Sequence, residues 1–144
     1  MRVADILKGK GTAVMTVSPT DTIEHLAQRL RLAGVGAMVV SHDGHSMDGI
    51  ISERDIAYAV AVYGRELVDL HVSDLMTRTV ITCSPQDTIA HVARIMTVRR
   101  IRHLPVMEKN NLTGLLSIGD VLKHRVTEIE LEENVLRDIA LAGR

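Results

Sequence analysis

A chain of 144 residues, 46% apolar and 24% charged, has room for one ordinary domain or for two small units sharing a core. Seventeen basic against eighteen acidic side chains leave a net charge of −1, which supplies no general field to draw in nucleic acid or an anionic membrane. No apolar run approaches the ~18 residues of a membrane span, and two tyrosines without Phe or Trp offer no stacking platform for single-stranded nucleic acid.

The start of the chain, Met1-Arg2-Val3-Ala4-Asp5-Ile6-Leu7-Lys8, lacks the apolar core of a signal peptide. Cys83 has no partner for an intramolecular disulfide, so a cytoplasmic address is the expectation. Any purine site in such a chain must have aliphatic walls.

The chain repeats itself. Val14 to Ala27 laid over Val80 to Ala93 gives nine identities in fourteen positions, where ordinary composition gives about one by chance. The register runs without a gap to Val40 over Val106. One residue of slack then pairs Gly49, Ser52 and Asp55 with Gly114, Ser117 and Asp120. Val3-Ala4-Asp5-Ile6-Leu7 resembles Val72-Ser73-Asp74-Leu75-Met76, a short lead-in to each copy.

Each copy then reads alike. A short extended segment, Ala13 to Val17 or Thr79 to Cys83, meets a Ser-Pro pair that takes the chain out of the helical region. A helix follows, capped by Asp21 or Thr22 and by Asp87 or Thr88. Its apolar stripe is Ile23, Leu26, Ala27 and Leu30 in the first copy and Ile89, Val92, Ala93 and Met96 in the second.

Two strands come next, Ala37 to Ser41 and Ile50 to Ser52, joined by the turn His42-Asp43-Gly44-His45. Their counterparts are His103 to Met107 and Leu115 to Ser117, joined through Glu108-Lys109-Asn110-Asn111. A second helix closes each copy, Glu53 to Val62 and Gly119 onward. The expected fold class is mixed α/β (α+β): two β-α-β-β-α units packed sheet to sheet about a pseudo-twofold. The units span residues 1–70 and 71–125, with a helical extension over 126–144. Leu122, Val126, Ile129, Leu136 and Ala140 form a stripe along that extension, interrupted by Glu133. It is expected to pack on its own domain or on a sister subunit, or to fray as a charged helix.

Ser52-Glu53-Arg54-Asp55 and Ser117-Ile118-Gly119-Asp120 each spell a capping box, which satisfies free amides at a helix start. The same helix starts attract anions. A carboxylate there can accept both hydroxyls of a ribose, and the serine hydroxyl can donate to a ribose or phosphate oxygen. The basic cluster Arg99, Arg100, Arg102 and His103 tips the reading toward a ligand. Arg99 alone suits a solvated helix end. Strand alternation places Arg102 and His103 on opposite faces. The first copy carries the uncharged Gly34-Val35-Gly36-Ala37 at these positions and has Arg54 instead, free to face a phosphate across the pseudo-twofold, so the two potential sites are chemically unequal.

The doubled pattern, the Ser-Pro-x-Asp-Thr-Ile openings, Ile101-Arg102-His103-Leu104-Pro105-Val106 and the two Gly-h-h-Ser-x-x-Asp closings resemble a tandem pair of cystathionine-β-synthase (CBS) domains, a Bateman module, from Val3 to about Arg125. The resemblance implies a stand-alone regulatory module whose clefts bind an adenosine-containing ligand: AMP above all, or ADP, ATP, NAD(H) or S-adenosylmethionine. It assigns Asp55 and Asp120 to ribose hydroxyls and Ser52 and Ser117 to the neighbouring hydroxyl position. Arg102, His103 and Arg54 go to phosphate, and Thr16, Thr82, Met38 and Leu104 to the base pocket. It implies signalling to an effector protein in trans or through assembly, a homodimer being expected.

No catalytic cofactor and no enzymatic activity are expected, because no nucleophile-base-acid set, phosphate-cradling glycine loop or zinc-ligand spacing is visible. Cys83 reads as a small core residue, His42 and His45 as part of a turn rather than a metal site, and His25 and His91 as exposed. The rival reading is a ligand-free dimerisation scaffold whose C-terminal helix grips a partner.

Overall fold

The computed structural model describes residues 1–11 and 13–143. Helix α1 (Val3–Lys10) leads to strand β1 (Thr16–Val17), helix α2 (Ile23–Ala33), strands β2 (Ala37–Val40) and β3 (Gly49–Ser52), and helix α3 (Glu53–Tyr63). A 3₁₀ turn over Gly64–Asp69 and the short helix α4 (Val72–Leu75) connect to the second copy. There, α5 (Ile89–Arg99), β4 (His103–Glu108), β5 (Asn111–Ser117) and α6 (Ile118–Ala142) repeat the order.

Local chemistry sets these boundaries. In both Ser-Pro-x-Asp-Thr turns the aspartate closes the turn and the threonine caps the helix. Ser18 N donates to Asp21 Oδ2 at 3.1 Å and Ser84 N to Asp87 Oδ2 at 2.8 Å, while the Thr22 and Thr88 hydroxyls accept from His25 N and His91 N. The stripes of α2 and α5 then bury Ile23, Leu26 and Leu30 in one core and Ile89, Val92 and Met96 in another.

In the first copy, β1 runs parallel to β2, and β2 pairs antiparallel with β3, Ala37 opposite Ser52. In the second, β4 and β5 pair antiparallel with His103 opposite Ser117 and a bulge at Val106/Met107. The extended segment expected over Thr79 to Cys83 contributes one parallel bridge, Cys83 to Val106, rather than a strand. Cys83 is buried, and burial pushes its thiol up to about 12, as suits a small core residue.

The lead-in helices are exchanged between the copies. Val3 N and Ala4 N of α1 donate to Asp87 O and Pro85 O of the second copy's turn, both at 2.9 Å. Val72 N and Ser73 N of α4 donate to Asp21 O and Pro19 O of the first copy's turn, at 2.8 and 3.0 Å. Val3, Ile6 and Leu7 accordingly join the second core, and Val72 joins the first. Each core thus takes one helix from beyond its own β-α-β-β-α run. The copies are further tied where Ile50 and Thr77 exchange backbone bonds of 3.0 and 2.9 Å beside Gly49, where a Cβ would lie 2.5 Å from Thr77 O.

The extension is one unbroken helix to Ala142, continuous with the helix that Ser117 starts. Val121 is buried in the second core, whereas Leu122, Val126, Ile129 and Leu136 of the expected stripe are exposed. Its base is held to the chain start by an ion pair between the Met1 amino group and Glu128, 3.0 Å.

Candidate functional site

Both Ser-x-x-Asp segments form the capping box that the spacing predicts. Ser52 N donates to Asp55 Oδ2 at 2.8 Å and Ser117 N to Asp120 Oδ2 at 2.9 Å, and each serine hydroxyl accepts from the aspartate amide in return. The Ser52 hydroxyl also lies 3.1 Å from Asp55 Oδ2. Capping and ligand binding are compatible, because a capping bond engages one carboxylate oxygen and leaves the other to a second partner.

The surroundings of the two aspartates differ. Asp55 borders a cavity of about 630 Å³ that also takes in Ser52, Arg54, Arg102 and His103. Five residues singled out in the sequence are thereby brought together from both copies. Arg102 and His103 face the same space, against the expectation of opposite faces, because Arg102 sits in the bend before β4 and strand alternation begins only at His103. The uncharged entry of the first copy has a steric role here. A Cβ on Gly36 would lie 3.3 Å from both His103 Cε1 and Glu53 Oε1, so the missing side chain is what lets the histidine of one copy approach the helix start of the other.

Asp120 instead meets an internal cation. Lys10 Nζ, at the end of α1, lies 2.5 Å from Asp120 Oδ2 and donates to Leu115 O at 2.7 Å. Burial raises the Asp120 carboxyl, but the bonds from Lys10 and Ser117 outweigh it and the net shift is downward. The pair is partly exposed, so its contribution to stability is small, about 0–1 kcal/mol. Its consequence is positional: an ammonium stands where the resemblance puts ribose hydroxyls.

The four residues assigned to the base pocket are placed otherwise. The Met38 and Leu104 side chains are wholly buried, one in each core, because they point inward from the middle layer of their strands. Thr16 is half-buried in β1, its carbonyl held by Arg29 at 2.6 Å, and Thr82 is exposed. The apolar side of the cavity is formed by Ala37, Ile50, Ala57, Val80, Ile81 and Ile101.

Sequence reasoning passed over Glu53 and Thr79 as site residues and left Arg100 in the basic cluster without a role, and all three border the cavity. A signal existed for Arg100, which falls opposite Gly34 in the repeat register.

His103 is half-buried between the two aspartates' surroundings. Burial lowers its imidazole below the ordinary value; Lys10 and Arg102 push the same way against Glu53 and Asp120.

Elsewhere, Asp43 closes the turn of the first hairpin by accepting from the His45 and Ser46 amides, each at 2.8 Å. His42 Nδ1 lies 2.8 Å from Asp48 Oδ2. Among the described residues no group of three or more His, Cys, Asp or Glu is arranged to hold a metal, and no helix is long and apolar enough to cross a membrane. His25 and His91 are exposed.

Comparison with known proteins gives the same doubled organisation. The chain is similar to a CBS-domain protein of Agrobacterium tumefaciens, ATU1752, at 40% identity and a TM-score of 0.83, covering 87% of this chain and 99% of that one. It is 33% identical over 134 residues to the mitochondrial CBS domain-containing protein CBSX3 of Arabidopsis thaliana, covering 88% of this chain and 65% of that relative's length. Two ligand-bound structures share the fold at lower identity: CBSX2 in complex with AMP, 20% identical with a TM-score of 0.71, and the CBS domain pair of MJ0100 in complex with 5-methylthioadenosine and S-adenosyl-L-methionine, 24% identical with a TM-score of 0.77. The CBS domain model matches twice, over residues 3–62 and 72–127, and the chain belongs to the CBS-domain family.

Proposed function

We propose that this chain is a regulatory module that binds an adenosine ligand with an anionic 5′ group in the cavity at Asp55 and passes its occupancy to a partner. The observation that carries the reading is the meeting, in one cavity of about 630 Å³, of a ribose-competent carboxylate from one copy with Arg102 and His103 from the other. Asp55 would take the ribose hydroxyls, Ser52 a neighbouring oxygen, and Arg54, Arg102 and His103 the phosphate, with the adenine against the aliphatic wall. Fold neighbours that hold AMP or S-adenosyl-L-methionine support the ligand class. The Asp120 side, with Lys10 on its carboxylate, is the weaker candidate.

A ligand that touches both copies favours the arrangement in which they are closed on it, and it shifts that equilibrium by its differential affinity for the two arrangements. The expected assembly is a homodimer. Apolar side chains exposed on α3 and α6, Tyr58, Val62, Leu122 and Val126 among them, support a pairing surface and also the scaffold reading.

The test is the ultraviolet spectrum of freshly purified protein before and after denaturation and filtration, with mass spectrometry of the filtrate. With two Tyr and no Trp, a released adenine chromophore stands out. The reading expects an adenosine compound, or saturable binding on adding AMP, ADP or ATP. A clean filtrate together with no binding at millimolar nucleotide turns the assignment to the scaffold.

A pH dependence follows from His103. Burial disfavours its imidazolium in the unliganded protein, and an arriving phosphate favours it. Binding therefore takes up a proton, and affinity rises as pH falls toward the ordinary imidazole range near about 6.5. Because the unfolded chain binds that proton more readily, the same shift lowers stability as pH falls below about 6.5. Calorimetric titrations in two buffers of different ionisation enthalpy read the uptake directly, and His103→Gln abolishes the part due to this ring.

A further inference from the structure

Arg100 borders the cavity in a backbone conformation that its side chain does not favour. It ends α5 at φ 55, ψ 43, in the left-handed region. The first copy makes the same turn after α2 with Gly34, at φ 66, ψ 33. Glycine takes this conformation without steric penalty, whereas other residues are strained there and persist where something else is gained. Folding asks only for the turn, which Gly34 supplies in the first copy. A cation does suit a helix C-terminus, but Arg99 already occupies the last turn of α5. An arginine at position 100 is therefore unexplained by the fold, and the residue borders the cavity with Arg54, Arg102 and His103.

Three guanidiniums and an imidazole are more than one phosphate group engages. Two carboxylates share the cavity. Asp55 is committed to Ser52 and, in the reading above, to ribose, and Glu53 approaches His103 across Gly36. The surplus of positive charge suits a longer anion. We infer that Arg100 is a specificity-determining residue that extends the phosphate site, so that the cavity prefers an adenosine ligand carrying two or more phosphates to AMP and to adenosine compounds with an uncharged or cationic 5′ group. This rests on the adenosine reading of the same cavity.

The experiment is calorimetric titration of the wild-type chain and of Arg100→Gly with AMP, ADP, ATP and inorganic tripolyphosphate, together with thermal melts of both proteins. ATP is expected to bind the wild type about tenfold or more tighter than AMP. Arg100→Gly is expected to lose about tenfold in affinity for ATP and for tripolyphosphate while AMP changes less than about twofold. The variant is expected to melt no lower than wild type, and about 2–4 °C higher if the full strain is relieved. A function gained at the expense of stability predicts these opposite signs.

Equal wild-type affinity for AMP and ATP overturns the inference and leaves the adenosine reading standing. So does an Arg100→Gly protein that loses stability and all affinities together, which marks a structural residue. Binding of tripolyphosphate that weakens in Arg100→Gly, with no adenosine compound preferred over it, sustains the phosphate site and overturns the adenosine reading. If neither nucleotide nor tripolyphosphate binds, both fail.

Discussion

Replacing Asp55 by Ala is expected to weaken adenine nucleotide binding about 10- to 100-fold, the loss of charge-assisted bonds worth roughly 1.5–3 kcal/mol, while Asp120→Ala changes affinity by less than about twofold. The comparison is internally controlled. Both aspartates hold the serine amide of a capping box at the start of a helix, so each replacement removes the same cap and lowers stability by about 1 kcal/mol or less. What differs is the company each carboxylate keeps: the shared cavity with Arg102 and His103 at Asp55, and the ammonium of Lys10 at Asp120. Titration calorimetry on the two variants, with melts to follow the cap, separates the terms. Equal losses of affinity would place ligand at both aspartates and require Lys10 to be displaced on binding.

The second large effect is on stability. Leu104→Ala is expected to destabilise the chain by about 2–5 kcal/mol, a large part of the ~5–15 kcal/mol that holds a domain of this size together. Leu104 is wholly buried in the second core with Ile89, Val92 and Leu116, and its truncation leaves a cavity that rigid neighbours close only in part. Denaturant unfolding measures the loss. At a temperature where the variant is folded, its nucleotide affinity should match wild type. A fall in affinity at undiminished stability would return Leu104 to the wall of the base pocket, where family resemblance puts it.

Much of this architecture was legible because the repeat made each segment speak twice. The Ser-Pro-x-Asp-Thr turns fixed the starts of α2 and α5, the stripes after them named Ile23, Leu26 and Leu30 of one core and Ile89, Val92 and Met96 of the other, although Ala27 of the expected stripe is exposed, and the matched Ser-x-x-Asp segments located both helix starts. The CBS domain model matches the chain twice, as the repeat predicts. The exchange of α1 and α4 was not legible. Val3-Ala4-Asp5-Ile6-Leu7 shows a lead-in helix, but which core it enters depends on backbone bonds to Pro85 and Asp87, more than 80 residues away. The same distance hid the Lys10–Asp120 pair, which follows from that docking.

Other differences are local. β4 starts one residue after Arg102, so strand alternation does not govern that side chain, and Met38 and Leu104, which family resemblance assigns to the base pocket, lie one in each core. Arg100 was visible throughout as the partner of Gly34 in the register. Its meaning waited on the left-handed turn that a sequence does not display.

The central claim is that an adenosine ligand binds at Asp55 between the two copies, and the most direct measurement is amide chemical-shift mapping of ¹⁵N-labelled protein titrated with AMP and with ATP. The account predicts saturable shifts gathered at Ser52 to Asp55, Thr77 to Ile81 and Arg100 to His103, the segments that border the cavity, with Ser117 to Asp120 little moved. Shifts centred on Ser117 to Asp120, or none at millimolar nucleotide, would contradict it.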